Sequence, residues 1–280
     1  MEQNREKHSI ALMCRVYSVT RDGYNSWHRR GISARRTEDS ELFEMISMIF
    51  KRHNGCYGSP KIMQELRKIG IGVGQKRVAR IMREHGLTAT KARIYISRPG
   101  LYKHVNRVPC RIADIELRAP NQLWVGDVTY LKMQDGSWQY LSVIMDRFSR
   151  RIISWSLSER RDAQLTVSAL QRAVRNRGHH EELIFHSDRG VEYMANDYRK
   201  KLGHYGISQS MNRAKSMNDN AFMESFFQQF KTERIKRVVL ESVEQLRGII
   251  TEYMRYYNYE RSHSSIGYLS PHEFESRISC

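Results

Sequence analysis

The spacing of apolar residues changes near Pro120, and this change limits the folds open to the chain. Before Pro120 the apolar residues recur at helical spacing, as with Ile62, Leu66 and Ile69 on one face of a predicted helix. After Pro120, runs rich in β-branched and aromatic residues, joined by short turns, predict strands at 123–131, 140–145 and 152–157. The sequence therefore predicts an all-α region followed by an α/β domain.

The first region is predicted to be a series of short helices, at 10–17, from Thr20 as cap towards Trp27, and around 42–50. Gly58-Ser59-Pro60 then begins a further helix, with Ser59 as its N-cap and Pro60 as its first helical residue. After a glycine-bearing turn, another helix is predicted at about 75–85.

The helix at 75–85 has a basic outer face, because Lys76, Arg80 and Arg83 stand at i, i+4 and i+7. Two helices joined by a glycine-bearing turn, the second with a basic face, are typical of a helix-turn-helix whose second helix enters the major groove. We therefore predict that Lys76, Arg80 and Arg83 contact DNA. The alternative is an ordinary surface helix with solvated cations.

Charge is distributed unevenly along the chain. Residues 1–120 hold 24 Lys and Arg against 11 Asp and Glu, whereas residues 121–280 hold 23 against 19. This asymmetry indicates a polyanion-binding region followed by a domain of another kind. We divide the chain into an N-terminal helical or helix-turn-helix region (1–55), a second helix-turn-helix (56–88), a basic linker (89–119) and an α/β domain with C-terminal helices (120–280).

Several classes of protein are excluded by what the sequence lacks. No apolar run reaches the 18 or more residues of a membrane span, and the N-terminus has no signal-peptide core. The four cysteines are scattered without zinc-finger spacing. We expect a cytoplasmic protein with no membrane partner and no structural zinc.

The α/β domain is predicted to continue beyond its three strands with alternating elements. Helices are expected at about 163–177 and 196–205, strands at 183–186 and 207–211, and two last helices at about 219–234 and 242–257. Three sequential strands followed by alternating helices and strands indicate a mixed sheet with flanking helices.

Three carboxylates of this domain lie where they could converge. Asp127 stands within an apolar strand, Asp188 follows a short strand, and Glu224 lies on the polar face of the helix at 219–234. Oxygen ligands without His or Cys favour a hard cation such as Mg²⁺ or Mn²⁺, and two such ions can promote phosphoryl displacement. Each carboxylate taken singly could instead be a cap or a solvated surface group.

The motifs around these carboxylates resemble those of bacterial insertion-sequence transposases encoded by a second, frameshifted reading frame, which are relatives of retroviral integrases. As in that family, 35 residues separate Asp188 from Glu224. The resemblance covers nearly the whole chain, and its main motifs are Trp-Val-Gly-Asp-Val-Thr-Tyr at 124–130, Asp-Arg-Phe-Ser-Arg-Arg-Ile-Ile at 146–153, His-Ser-Asp-Arg-Gly at 186–190, Asp-Asn-Ala-Phe-Met-Glu-Ser-Phe-Phe at 219–227 and Tyr-Leu-Ser-Pro at 268–271.

The resemblance implies an RNase H-like catalytic domain and an Asp/Asp/Glu polynucleotidyl transferase or endonuclease. Asp127, Asp188 and Glu224 would be its catalytic and metal-binding residues, with Mg²⁺ or Mn²⁺, and two ions are expected. The implied activity is cleavage at the ends of the element, followed by strand transfer into another phosphodiester. In related elements this proceeds through a circular DNA intermediate.

The resemblance also suggests further residues by matching position. Lys231 and Arg261 are candidate DNA contacts, and His263 a supporting residue, although a folded tail could equally use Arg261 and His263 in packing. Asn220, one turn before Glu224, would support the site or cap the helix.

The implied partners are the terminal inverted repeats of the element and target DNA, at the bacterial nucleoid. We expect a homodimer or higher oligomer because two DNA ends must be brought together, and the product of the upstream reading frame is a further candidate partner. Two alternatives stay open, an accessory DNA-binding regulator that is inactive without that product, and a nuclease that does not join strands. The loop at 213–218 lacks the glycine and aromatic residue usual in the family.

Overall fold

The computed structural model describes residues 1–29, 34–90, 108–112, 115–213 and 220–278. The chain divides into two compact units, Met1–Thr88 and Ala89–Cys280. The predicted linker at 89–119 lies largely outside the described residues, as does nearly all of the loop at 213–218. None of the described helices combines the length and the apolar character that a membrane span needs.

The first unit is all α, as predicted. Its helices are α1 (Ile10–Val16), α2 (Arg21–Arg29), α3 (Ala34–Arg52), α4 (Ser59–Lys68) and α5 (Gln75–Glu84). The Thr20 hydroxyl accepts the Gly23 N–H at 3.0 Å and so caps α2 as predicted. The cap of α4 was predicted one residue too late, since Gly58 is the N-cap and Ser59 already lies in the helix.

Helices α3, α4 and α5 share one core, built around the fully buried side chains Ile46, Tyr57, Ile62, Leu66 and Val78. The predicted boundary at residue 55 falls inside this packed group. Burial of these apolar side chains is the main force that holds the three helices together.

The second unit is built on a five-stranded mixed sheet. Its strands are β1 (Leu123–Lys132), β2 (Trp138–Asp146), β3 (Ile152–Ser158), β4 (Ile184–Ser187) and β5 (Ser208–Met211), in the order β3-β2-β1-β4-β5. The pairs β1–β2 and β2–β3 are antiparallel, whereas β4 pairs in parallel with both β1 and β5. This is the mixed α/β sheet that the sequence predicts.

Helices cover both faces of the sheet. They are α6 (Ala163–Arg177), α7 (Val191–Met194), α8 (Asn196–His204), α9 (Ala221–Glu233), α10 (Val243–Tyr259) and α11 (Pro271–Ile278). One core joins side chains of α6, α7 and α8 to Trp124 and Phe185, and the other joins α9 and α10 to Val125 and Val143. Alternate residues of β1 therefore enter opposite cores, as the pleat of a strand requires. Helices α7 and α11 were not predicted.

A buried ion pair joins the end of α9 to the C-terminal tail. The Arg261 guanidinium donates to both carboxylate oxygens of Glu233, at 3.1 and 2.8 Å, and the Tyr253 hydroxyl donates to the same carboxylate at 2.9 Å. Arg261 is only 5% exposed. The sequence-based assignment of Arg261 as a DNA contact therefore does not fit its position, because its five donors face the protein interior.

Replacing Arg261 with Met should destabilise the protein by about 3–5 kcal/mol, because it leaves the Glu233 charge buried with reduced compensation. The free energy of unfolding in urea measures the loss. Arg255→Met is the matched control, since Arg255 is exposed on the neighbouring helix α10. Equal losses in the two variants would show that the buried pair adds nothing to stability.

Candidate active site

The parallel pairing of β1 with β4 brings Asp127 next to Asp188. The ladder of paired residues ends at Gly126 opposite Ser187. Asp127 is the next residue of β1 and Asp188 is the residue that follows β4, and adjacent strands lie about 4.8 Å apart. Two aspartates separated by 60 residues of sequence are thus held together by strand register alone.

Gly126 is needed at this point because the ring of Phe185 lies over it. A Cβ added to Gly126 would overlap the tip of that ring. The glycine therefore allows a large aromatic side chain to fill the core directly beneath the strand that carries Asp127. On β4, the His186 ring is fixed between the Ser210 hydroxyl at 2.9 Å and the Asn212 side-chain oxygen at 2.7 Å.

The two aspartates have few hydrogen-bond donors. Asp127 accepts the Val128 N–H at 2.7 Å, and Asp188 accepts the Gly190 N–H at 2.9 Å. Burial raises the pKa of Asp127 well above its usual range, and the neighbouring Asp188 charge raises it further. Burial likewise raises the pKa of Asp188, against the effect of the Gly190 N–H. Apart from the charge of Arg161, which acts to lower the pKa of Asp188, the two carboxyl groups receive little compensation from the protein.

Glu224 lies on α9, on the side of the helix away from its buried aromatic residues. It is exposed, and partial burial raises the pKa of its carboxyl. Its charge acts on Asp127, so the two groups lie within electrostatic range of one another. Among the described residues, however, no three His, Cys, Asp or Glu side chains are close enough together to form a ready metal-ligand group.

Asn220 connects the helix of Glu224 to the strand of Asp127. Its side-chain nitrogen donates to the carbonyl oxygen of Gly126 at 3.3 Å, and its side chain is buried. Asn220 is the N-cap residue of α9, but its side chain makes no capping hydrogen bond. The side chain therefore ties α9 to β1 rather than capping the helix, which fits the supporting position suggested for it.

Lys231, two turns after Glu224 on α9, also lies near Asp127. Its Nζ is 4.7 Å from the centre of the Tyr130 ring. Burial lowers the pKa of Lys231, and the Asp127 charge acts in the opposite direction. Lys231 is therefore a cation at the margin of the carboxylate pair, and its predicted contact with DNA stays a prediction.

Sequence reasoning missed Glu192, a buried carboxylate close to the site. The Arg161 guanidinium donates two hydrogen bonds to one Glu192 oxygen, at 3.0 and 2.8 Å, and the carboxylate packs against Gly190. The charge of Glu192 raises the pKa of both Asp127 and Asp188. The only sequence signal for Glu192 is its position four residues after Asp188. That spacing indicates that the two carboxylates are close only once the helix α7 is known.

The candidate DNA contacts of the first unit differ in their surroundings. Lys76 and Arg83 on α5 are exposed. Arg80 donates to Asp39 at 2.6 Å and to Glu84 at 2.9 Å, so its guanidinium is already engaged within the unit. The neighbouring Arg77, which the sequence did not single out, also donates to Asp39, at 2.7 Å.

His263 is largely buried in the C-terminal tail. Its ring lies 4.5 Å from that of Tyr257 in an edge-on arrangement, and Nδ1 is 3.5 Å from the Arg261 guanidinium. Arg261 and His263 thus pack together against α10, which is the alternative that the sequence left open for both.

Comparison with known proteins agrees with this architecture. Residues 118–217 match the integrase core domain family, residues 205–271 match a second integrase core domain model, and residues 37–95 match the HTH-like domain family. The chain is 36% identical over 283 residues to the transposase InsF of insertion sequence IS3A from Escherichia coli K12, covering 99% of this chain and 97% of InsF. It belongs to the IS3 family of transposases.

A second insertion-element protein is similar over nearly its full length. A 31 kDa protein of insertion element IS600 from Shigella sonnei is 34% identical, over 95% of this chain and 98% of that protein. The solved catalytic core of HTLV-2 integrase, in complex with magnesium, is 20% identical, with a TM-score of 0.46 over 56% of this chain and 97% of the core.

The IS3-family match settles the class of activity. The protein is a DNA transposase with an RNase H-like integrase core, hence a polynucleotidyl transferase, preceded by a helix-turn-helix-like region. The alternative of an accessory regulator is not favoured, because the match to InsF covers both regions rather than the DNA-binding part alone.

The raised pKa of Asp127 makes a prediction about stability and pH. The folded carboxyl holds its proton more tightly than the unfolded one, so stability should fall as pH rises from the unfolded value of about 4 through the folded pKa. Asp127→Asn removes this loss. In EDTA, the difference in melting temperature between Asp127→Asn and the wild type should therefore change in favour of the variant as pH rises above about 4.

Asp135→Asn is the control variant, and its stability relative to the wild type should change with pH in the opposite direction. The reason is that Ser137 donates to Asp135 and lowers the pKa of that carboxyl. The asparagine should cost slightly more stability as pH rises. A constant difference between Asp127→Asn and the wild type across the pH range would contradict the raised pKa of Asp127.

Proposed function

We propose that this transposase binds the terminal inverted repeats of its insertion sequence, cleaves the DNA there and joins the ends to target DNA, with Asp127, Asp188 and Glu224 as catalytic, metal-binding residues. The observation that carries the proposal is the strand register that holds Asp127 beside Asp188 with almost no internal compensation. Repelling carboxylates are expensive to keep together unless a cation binds between them.

The chemistry of the donors suits Mg²⁺ or Mn²⁺. All three side chains offer carboxylate oxygen, which is the kind of ligand that these hard cations prefer. When bound, two such ions would favour the attacking and the leaving oxygen of an in-line phosphoryl displacement. Glu224 would complete the ligand set by a shift of its exposed side chain towards the aspartates.

The remaining residues of the site would hold the DNA and the helix in place. Lys231 presents an ammonium group beside the aspartates, where it can pair with a phosphate next to the bond that is cut. Asn220 fixes the start of α9 to the carbonyl of Gly126 and so limits how far Glu224 can move from Asp127. Asn220 is a positioning residue, since its donor contacts the backbone rather than the substrate.

The first unit would supply recognition of the element's ends. In a helix-turn-helix the second helix reads the major groove, and on α5 the exposed cations Lys76 and Arg83 are the ones available to do so. Arg80 would contact DNA only by exchanging Asp39 or Glu84 for a phosphate.

The assembly that follows from this chemistry is a dimer or larger oligomer. Two DNA ends must react in one complex, and each copy carries one carboxylate site. The product of the upstream reading frame is a further candidate partner. It can be tested by adding that product in trans to the strand-transfer assay described below. The site of action would be the bacterial nucleoid, where both the element and its target lie.

The first test is a strand-transfer assay on a labelled duplex that carries an end of the element. Wild-type protein should give joined product with Mg²⁺ and none with EDTA, and Glu224→Gln should reduce the product by at least about a hundredfold, since it removes a ligand charge. Glu244→Gln is the matched control, because Glu244 is an exposed glutamate on α10. Cleaved but never joined DNA would indicate a nuclease instead.

A second test concerns recognition by α5. Lys76→Ala and Arg83→Ala should each weaken binding to the terminal repeat. If the lost contact is to a phosphate, the slope of log affinity against log salt should become shallower by about one. Lys200→Ala, at an exposed lysine of α8, is the control. Unchanged affinity and slope in both α5 variants would show that another surface binds the repeat.

A further inference from the structure

The hairpin formed by β1 and β2 carries two large aromatic side chains that are not in either core. Tyr130 is 57% exposed and Trp138 is 42% exposed. Among the described aromatic residues of this unit only Tyr130, Trp138 and Tyr259 are exposed, so the two rings of the hairpin leave an apolar surface in contact with water.

The two rings lie together on one face of the hairpin. Their centroids are 5.3 Å apart, with an angle of 74° between the ring planes. Tyr130 is paired with Tyr140 and Lys132 with Trp138, so all four side chains stand on the same face of the sheet. The face is therefore a continuous aromatic surface rather than two isolated rings.

Ammonium groups flank this aromatic surface at both ends. The Nζ of Lys132 lies 5.9 Å from the centre of the Trp138 ring, and the Nζ of Lys231 lies 4.7 Å from the centre of the Tyr130 ring. Flat rings bordered by cations match the two parts of a nucleotide, because a base can stack on the ring while its phosphate pairs with the ammonium.

Lys231 connects this surface to the catalytic carboxylates. Tyr130 follows Asp127 by three residues on β1, so the two side chains point to opposite faces of the sheet, but beyond Gly126 the β4 edge of β1 has no strand partner among the described residues. Lys231 lies within the electrostatic influence of Asp127 and beside the Tyr130 ring, so a DNA strand whose phosphate sits at Asp127 could pass this open edge at Lys231 and reach Tyr130 and Trp138. In a duplex the faces of a base are covered by the neighbouring stacked pairs, so a base within the duplex can reach such rings only when it is unpaired and unstacked.

We propose that Tyr130 and Trp138 form a stacking platform for unpaired nucleotides of the DNA end, with Lys231 and Lys132 on the adjoining phosphates. This inference rests on the proposed function, because it takes the DNA strand at Asp127 as given. The platform would hold the strand open next to the bond that is cut, and would favour DNA ends whose terminal pairs open easily.

The test measures binding in EDTA, so it does not depend on cleavage or joining. Fluorescence anisotropy compares a flush duplex of the element's end with duplexes that carry three unpaired nucleotides on either the 5′ or the 3′ strand. Wild-type protein should bind one of the unpaired ends about tenfold more tightly than the flush end. Tyr130→Leu and Trp138→Leu should lose that preference and keep the affinity for flush DNA.

Conservative and remote variants separate stacking from folding. Tyr130→Phe and Trp138→Phe keep an aromatic ring and should keep the preference, whereas Tyr259→Leu removes an exposed tyrosine outside the platform and should behave as the wild type. If a leucine variant does not fold, stacking on Trp138 is tested instead by the quenching of tryptophan fluorescence when a duplex with an unpaired end is added. It should occur in the wild type and be largely absent in Trp138→Phe.

Two results would overturn the platform. Equal affinity of the wild type for flush and unpaired ends would show that the surface does not bind bases, and a protein partner would then be the better explanation for its exposure. Equal loss on both kinds of DNA in the leucine variants would indicate a general DNA contact. The preference for unpaired ends is measured without cleavage or joining, so a negative strand-transfer assay does not change it. The proposed activity and the proposed platform can therefore be rejected independently of one another.

Discussion

The parallel pairing of β1 with β4 is the constraint on which the rest of the structure depends. Because that ladder ends at Gly126 and Ser187, Asp188 leaves the sheet beside Asp127, which continues along β1. The sheet must therefore be rigid enough to keep two like charges close together, and the two cores on its faces provide that rigidity. Phe185 lies over Gly126 in one core and Val125 enters the other, so each core begins within two residues of Asp127. The packing of the domain therefore also fixes the positions of these carboxylates.

The helix of Glu224 is attached to this sheet in a different way. Its aromatic side chains bury α9 against α10 and the sheet, and Asn220 adds one hydrogen bond to the carbonyl of Gly126. Glu224 itself is exposed on a helix whose preceding loop lies outside the described residues. Asp127 and Asp188 are thus fixed by backbone pairing, whereas Glu224 is placed by helix packing and retains side-chain freedom. That difference explains why the aspartates already repel one another while no three acidic or histidine side chains among the described residues form a closed ligand group.

Strong local patterns were enough to predict much of this fold. The bounds of α6 agree with the prediction at 163–177, and β1 to β3 each agree to within two residues at either end, because long periodic segments with clear caps specify their own structure. Helix α7 was missed because four residues carry too little periodicity, and α11 because only Phe274 and Ile278 are apolar among its residues after Pro271. The prediction for Arg261 was wrong for another reason. Nothing in the neighbouring sequence shows that Glu233, 28 residues earlier, lies beside it, and an arginine looks the same in a DNA contact and in a buried pair.

The buried carboxylates of the domain show how a structural acid differs from a functional one. Asp146 accepts three backbone N–H groups, Glu233 receives Arg261 and Tyr253, and Glu275 receives Ser149, Arg151 and Arg177. Each of these carboxylates is satisfied by the protein, and each fixes a turn or the C-terminal tail. Asp127 and Asp188 receive one backbone N–H apiece and oppose one another. Since the same fold satisfies these three acids so fully, the poor satisfaction of Asp127 and Asp188 is a property of the site, and it leaves their carboxylate oxygens available to a ligand from outside the chain.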